Sequence, residues 1–382
     1  MSTRKRISRI VIPYGKSFKR QNAKIVIILL ISLLVPFPGI RNVYIQNETH
    51  VTLLLLQYSE MGLVSLTGFI CYLWTAKKVK SLSKIYRNIL LTHRLFYVFQ
   101  KRSISYNTKW MDMYDVLVVV AVIVNTASGI LDPNIEQKPK NSLLFIILGS
   151  LSYSVPVVLV HCLGTFFRTS FFALNVQLIH LNHLLDNVNV LNTTHIEKLV
   201  YIHCLIANSF RRLNAAHMLP VLLLSSCTFF VVVYNLYDML TFNLEESLNN
   251  TLGDNVGGAA WLTFWTTQLI VLVILIENVV DKHDEFSSRL HYIIIQDPTG
   301  ILGKSNRLMA HLAIRQRLEY SAAGFFTVGY KLIASIASSA TTYLVILIQF
   351  AQINVGSQKV PGVDNKTSSS TTGPTTELMI LK

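Results

Sequence analysis

Seven long apolar stretches, separated by segments rich in charged and polar residues, set the pattern of the chain. A helix needs about 20 mostly apolar residues to cross the hydrocarbon core of a bilayer, so these stretches predict membrane-spanning helices. The first is the weakest, because it is short and contains Pro36 and Pro38, and we expect it to borrow residues from its flanks or to cross with little tilt. The predicted spans are 25–40, 51–76, 116–131, 141–167, 219–237, 256–276 and 320–358.

The last stretch is too long for one crossing, and its only charge is Lys331. We expect a broken helix, with a first half in the cytoplasm up to about Lys331 and a spanning half from Ile333 onward. Gly324 and Gly329 would ease such a break. Two crossings are the alternative, which the charge disfavours. Lys331 and Glu277 both lie near the predicted inner membrane face, where snorkelling explains them.

Two segments between the spans, 166–218 and 281–322, carry helical periodicity. We expect their helices to run from the membrane into the cytoplasm and to pack together there. The positions that carry this pattern are Leu174, Leu178, Leu181, Leu185, Leu308, Leu312 and Arg315.

The composition agrees with an all-α membrane protein. Hydrophobic residues make up 51% of the chain and charged residues only 14%, with a mean hydropathy of +0.44, whereas soluble domains carry about a quarter charged residues. The net charge of +14 does not indicate a nucleic-acid partner, because the basic residues lie between the apolar stretches rather than in a separate soluble domain. The expected partner is the lipid bilayer.

The distribution of Lys and Arg predicts the orientation. Twenty-seven of the 34 lie in segments 1–24, 77–113, 166–218 and 281–322. Positive residues accumulate on the cytoplasmic side of a membrane protein, so we expect the basic N-terminal tail, 1–24, to be cytoplasmic. An odd number of spans then puts the tail 359–382 outside the cell. That tail is rich in Ser, Thr, Gly and Pro, a composition typical of disorder.

Glycosylation acceptors support this orientation independently. Three Asn-X-Ser/Thr sequons, at Asn47, Asn249 and Asn365, lie in predicted outer segments, where such sites are used. A fourth, at Asn192, lies in an inner segment and would stay unmodified.

The last span contains Thr342-Tyr343, five hydrophobic residues, and then Gln349-Phe350. This string resembles the signature of the insect gustatory receptors, and the span count and orientation also fit. Two upstream segments are similar to the family as well, 324–328 and 334–340. The resemblance implies a ligand-gated non-selective cation channel in the plasma membrane of gustatory receptor neurons. It also implies a homo- or heterotetramer with other gustatory receptors, opened by a small-molecule tastant, with the last spans around a central axis.

A polar side chain on the last span is the main pore candidate. An amide in an apolar span is costly unless it meets water or a partner. On a helix, Thr342, Ile346, Gln349 and Ile353 form one stripe that could line a narrow pore, with Tyr343 and Phe350 completing the family motif. The alternative is that Gln349 bonds to a neighbouring helix and the stripe is packing.

Candidate ligand-binding residues are aromatic or polar and lie in the outer halves of the spans, where the resemblance implies the ligand site. Aromatic faces can stack on a small molecule while amides orient it. The alternative for the aromatic residues is a role as interfacial anchors, and for Glu60 a protonated or paired carboxyl. The candidates are Gln57, Tyr58, Glu60, Asn125, Tyr153, Tyr234, Trp261, Trp265 and Gln268.

Other function classes fit less well. The sequence has no catalytic triad, dinucleotide fingerprint or complete metal-ligand set, so we expect no enzyme activity, no cofactor and no metal. A G-protein-coupled receptor would have the opposite orientation, a transporter usually has internal repeats, and an odorant-type receptor channel remains the nearest alternative. Sugar-sensing gustatory receptors tend to carry Glu where this chain has Leu344, which favours bitter or other non-sugar tastants.

Overall fold

Four long helices form the body of the molecule. The computed structural model describes residues 51–100, 113–116, 120, 141–187, 193–245, 252–313 and 317–358. The long helices are α1 (Val51–Gln100), α2 (Asn141–Asp186), α3 (Thr193–Glu245) and α4 (Leu252–Ile295).

Shorter elements and one further helix follow. They are α5 (Ile301–Lys304), α6 (Asn306–Ala313), β1 (Ser321–Ala322), β2 (Phe326–Thr327) and α7 (Tyr330–Gln358). Within the described residues the antiparallel pair β1–β2 is the only sheet, so the all-α prediction is confirmed.

Helices α2, α3, α4 and α7 are long and apolar enough to cross a membrane. In the described part of the chain, four stretches have this length and composition: Val155–Asp186, Thr193–Leu240, Gly258–Ile295 and Tyr330–Gln349. At 1.5 Å per residue, the 53 residues of α3 span about 80 Å, far more than the roughly 30 Å hydrocarbon core. The predicted span 25–40, most of 116–131 and both tails lie outside the described residues.

The excess length of α1 to α4 forms what we call the anchor end, built from 77–98, 168–186, 193–218 and 277–295. Here the Asn182 amide donates to the Lys282 carbonyl at 3.0 Å, and Arg289 pairs with Asp186. The helices predicted for these segments are therefore confirmed. Their leucines Leu174, Leu178, Leu181 and Leu185 are buried, as is Leu308 of α6, and Leu312 is half-buried. Arg315 lies outside the described residues.

The expected helical first half of the last apolar stretch is wrong. A tight hairpin precedes α7 instead, in which Val328 N–H donates to the Tyr320 carbonyl at 2.7 Å. Gly324 has φ +85°, a left-handed conformation that favours glycine and reverses the chain between β1 and β2. Leu318 and Ala322 are buried, and β1 packs on α3. The hairpin fixes the start of α7 to the bundle.

The rest of the chain covers little of the surface of the last helix, α7. Only 11% of the apolar window of α7 is buried, against 50–61% for the windows of α2, α3 and α4. Its buried positions, Leu332 and Ala340, face the bundle, and α7 packs mainly on α3. A long apolar helix left this exposed is typical of a surface that another subunit or lipid covers.

Candidate functional site

Three aromatic residues of α4 form a cluster inside the bundle. Trp261, Phe264 and Trp265 are spaced by three and four residues, so they share one face of the helix. The rings of Trp261 and Phe264 are stacked at an angle of 28°, with centroids 5.4 Å apart, and Trp265 meets both edge-on. All three are buried. They belong to the buried core of the bundle, and aromatic faces of this kind also line small-molecule sites.

Glu60 of α1 joins this aromatic cluster. The Trp261 indole N–H donates to Glu60 Oε1 at 2.9 Å, and the carboxyl is only 4% exposed. Tyr234 of α3 is buried and close enough to interact electrostatically with Glu60. The structure therefore brings together four of the residues that the sequence indicated: Glu60, Tyr234, Trp261 and Trp265.

We expect the bond between Trp261 and Glu60 to stabilise the contact of α1 with α4. A buried hydrogen bond to a carboxyl contributes on the order of 1–3 kcal/mol. In a double-mutant cycle of Trp261→Phe and Glu60→Gln, the two losses should be less than additive by about 1 kcal/mol. The readout is the thermal unfolding midpoint of the purified protein in detergent. Fully additive losses would show that the two side chains act separately.

Gln268, one turn below Trp265, lies in a polar network. Its Oε1 accepts a hydrogen bond from the Arg168 guanidinium, and its Nε2 lies 2.6 Å from His161 Nδ1. Gln268, Arg168 and His161 are all buried. The network links α2 to α4 next to the start of the anchor end.

Arg168 is the centre of this network. Its Nη2 donates to Thr165 Oγ1 at 2.8 Å and lies 3.4 Å from Asp115 Oδ1. Its guanidinium also lies over the Tyr114 ring, 4.8 Å from the centroid. Although Arg168 is 2% exposed, charge counting assigned it to an inner loop. No pattern along the chain indicated its burial. The structure shows that Gly164, one turn earlier, leaves room for the guanidinium, because a Cβ there would lie 3.1 Å from Arg168 Nη1.

The predicted pore stripe lies on the uncovered side of α7. Thr342, Ile346 and Gln349 are exposed in the single chain. Tyr343 points toward α3, where its ring meets Phe229 edge-on at 5.7 Å. For five predicted site residues the structure describes the backbone but not the side chain: Gln57, Tyr58, Tyr153, Phe350 and Ile353. Asn125 lies entirely outside the described residues. The sequons Asn47, Asn249 and Asn365 also lie outside the described residues.

Glu277 has a specific partner, so snorkelling does not explain it. Its Oε1 accepts a hydrogen bond at 3.1 Å from the backbone N–H of Tyr330, which is the first residue of α7. Gly329 is the N-cap residue, since its carbonyl accepts from the Leu332 N–H at 2.9 Å. Glycine has no capping side chain, and a Cβ at this position would collide with the Glu277 carboxylate. A carboxylate from α4 thus caps α7, where the helix dipole favours negative charge.

One helix therefore carries all three features. The aromatic cluster, Gln268 and Glu277 follow each other along α4, and Trp261 and Glu277 are separated by 16 residues, about 24 Å of helix. A displacement of α4 at the aromatic cluster would reach the start of α7 through a direct hydrogen bond.

Comparisons with known proteins agree with this architecture. The insect olfactory receptor OR5 from Machilis hrabei superposes with a TM-score of 0.59 at 14% identity, covering 88% of this chain and 90% of that one. The same receptor in complex with eugenol gives a TM-score of 0.55, covering 91% and 98%. At this identity the likeness shows the fold alone.

Sequence comparison gives the family. Gustatory receptor 68a of Drosophila melanogaster is 25% identical over 253 residues, covering 62% of this chain and 60% of that receptor. Alignments with three curated gustatory receptors of that fly span 34% to 60% of the relatives' own lengths. The family model of the 7tm chemosensory receptors matches residues 12–354, most of the chain. The chain therefore belongs to the 7tm chemosensory receptor family, the insect family of gustatory and olfactory receptors.

Proposed function

We propose that this chain is a gustatory receptor subunit that forms a ligand-gated, non-selective cation channel. The observation that carries the proposal is the uncovered face of α7, on which Thr342, Ile346 and Gln349 alternate polar and aliphatic groups. A stripe of this kind suits a narrow pore, because amides and hydroxyls replace part of the hydration of an ion while aliphatic rings close the path by dewetting. Ile353 continues the stripe by helical spacing.

The pore requires several copies of α7, so the proposal includes assembly. One helix encloses no path, and the exposed face of α7 needs a neighbour. A tetramer with the same or another gustatory receptor puts four such stripes around one axis. Ser335 and Ser338, both exposed on α7, would permit close approach between the copies.

The proposed orientation puts the anchor end in the cytoplasm and the tail after 358 outside the cell. The distribution of basic residues supports it. Asn47, Asn249 and Asn365 are then the expected glycosylation sites. The proposed location is the plasma membrane of gustatory receptor neurons.

The proposed ligand site is the aromatic cluster with Glu60, Tyr234 and Gln268. Stacking on Trp261 together with polar contacts would select a small organic tastant, and Leu344 favours a bitter or other non-sugar compound. Ligand occupancy would shift α4 against α1 and α2, and Glu277 would transmit this shift to α7.

Replacing Gln349 tests the channel directly. Cells expressing this chain are screened with alkaloids, sugars and carbon dioxide, and the first active compound is used to measure relative cation permeability. We expect Gln349→Glu to raise the permeability of Ca²⁺ relative to Na⁺ by about twofold or more, because it adds a carboxylate ring to the pore, and Gln349→Ala to change conductance.

Thr341→Val is the matched control, because Thr341 is exposed about 80° around the helix from Gln349. A tag after Lys382, detected on intact cells, measures surface expression and orientation together. Unchanged permeation in both Gln349 variants at normal surface expression would return Gln349 to a packing role. A tag reached only after permeabilisation would overturn the proposed orientation.

A further inference from the structure

A cavity of about 990 Å³ opens at the anchor end, far from the aromatic cluster. It lies between the N-terminal part of α3, the C-terminal part of α4, and α6. Its size is at the upper end of the range typical of small-molecule sites, which is about 300–1,000 Å³.

The walls of this anchor-end cavity are positively charged. Lys198, Arg211 and Arg307 line it, with Glu197 as the acidic residue of the lining. The Glu197 carboxylate already accepts a hydrogen bond from Ser305 Oγ at 2.8 Å and lies 3.7 Å from Arg307. Lys198 and Arg211 are therefore the cations that Glu197 does not balance.

Imidazole side chains also line the cavity. His203 is fully buried in the cavity wall, with Nδ1 3.2 Å from His311 Nε2. Its Nε2 makes no hydrogen bond with any residue that the structure describes. Burial lowers the pKa of His311 below its ordinary value, which favours the neutral imidazole. A buried ring nitrogen without a partner costs free energy that a ligand atom would recover.

The arrangement of these groups indicates the chemistry of the ligand. Lys198 and Arg211 both line the cavity and are 13 residues apart on α3, about 20 Å along the helix. His203, His283 and His311 line the same cavity. Guanidinium groups and imidazole N–H groups bind phosphate oxygens strongly, and one small anion would not span the distance between the two cations.

We propose that the anchor-end cavity binds a small molecule carrying two or more phosphate groups, such as an inositol polyphosphate or the headgroup of a phosphoinositide. The bound phosphates would tie α3 to α4 and α6. Binding at this site is independent of the proposed channel activity, since it involves neither the aromatic cluster nor α7.

The test titrates the purified full-length protein in detergent with inositol 1,4,5-trisphosphate and follows the thermal unfolding midpoint. We expect saturable stabilisation, with Kd raised about tenfold by Lys198→Gln and by Arg211→Gln, since each removes a charge-assisted contact. Arg212→Gln is the matched control, because Arg212 is the exposed neighbour of Arg211 and lies outside the cavity lining. It should leave Kd within about twofold.

A second arm separates the two sources of phosphate. The protein is placed in nanodiscs of phosphatidylcholine containing either phosphatidylinositol 4,5-bisphosphate or charge-matched phosphatidylserine. If phosphatidylinositol 4,5-bisphosphate stabilises the protein, phosphatidylserine does not, and the effect depends on Lys198 and Arg211, the ligand is the lipid headgroup. If only inositol 1,4,5-trisphosphate in detergent stabilises the protein with the same dependence, the ligand is a soluble phosphate. Absence of saturable binding in both arms, or equal weakening by Arg212→Gln, would overturn the proposal.

Discussion

Replacing Arg168 with methionine is expected to cost this receptor about 3 kcal/mol or more of stability. The substitution keeps the apolar stem but removes the guanidinium that bonds to Gln268 and Thr165 and faces Asp115. Gln268 is 4% exposed, so its carbonyl would lose its partner in a dry environment. Breaking a buried ionic network from one side typically costs 3–5 kcal/mol, because the remaining polar groups stay buried.

Thermal unfolding in detergent, followed by intrinsic fluorescence, measures this loss. Arg212→Met is the matched control, because it makes the same chemical change at an exposed position on α3. Adding Asp115→Asn to Arg168→Met should recover part of the loss, since it removes the carboxylate left behind. Equal midpoints for Arg168→Met and Arg212→Met would mean that water already reaches the network.

Removing the Glu277 cap is expected to loosen the first turn of α7. Glu277→Ala deletes the acceptor of the Tyr330 N–H, and Gly329→Ala should do the same from the other side by displacing the carboxylate. An N-cap is worth about 1 kcal/mol, so we expect the Tyr330 amide to exchange about fivefold faster in each variant. Hydrogen exchange read on peptides covering 325–335 provides the measurement.

Two further variants make this test of the cap specific. Glu277→Gln retains an acceptor oxygen and should exchange at an intermediate rate. Gly329→Ser also displaces Glu277 but supplies its own capping hydroxyl, so protection of the first turn should largely return. Adding Gly329→Ala to Glu277→Ala should change little, because both remove one interaction. If the two effects add fully, Glu277 is not the cap.

The helices of the bundle could be predicted well because hydrophobic periodicity is a local signal. Leu174, Leu178, Leu181 and Leu185 predicted a helix, and all four are buried in α2. The hairpin before α7 was not predicted, because the stretch from Tyr320 is largely apolar and glycine is its only helix-breaking residue. The structure reveals the turn through the positive φ of Ala323 and Gly324 and the hydrogen bond from Val328 N–H to the Tyr320 carbonyl.

The polar contacts of the site depend on how distant helices pack together, and most of them were not predicted from the sequence. Trp261 and Glu60 were candidates by residue type, but their hydrogen bond joins residues 201 positions apart. Arg168 was missed because counting positive charges treats every arginine next to a span as a loop residue. The partnership of Glu277 with Tyr330 depends on how α4 and α7 meet, which spacing along the chain does not encode.

The one-sided attachment of α7 makes it a lever. Hairpin and cap hold its base near Tyr330, while Gln349 lies 19 residues further, about 28 Å along the axis. Pivoting by about 5° about the base would carry Gln349 sideways by about 2.5 Å, nearly the width of one water molecule. A rearrangement too small to repack the core of the bundle would thus be large enough to wet or dry a constriction lined by several copies of this helix.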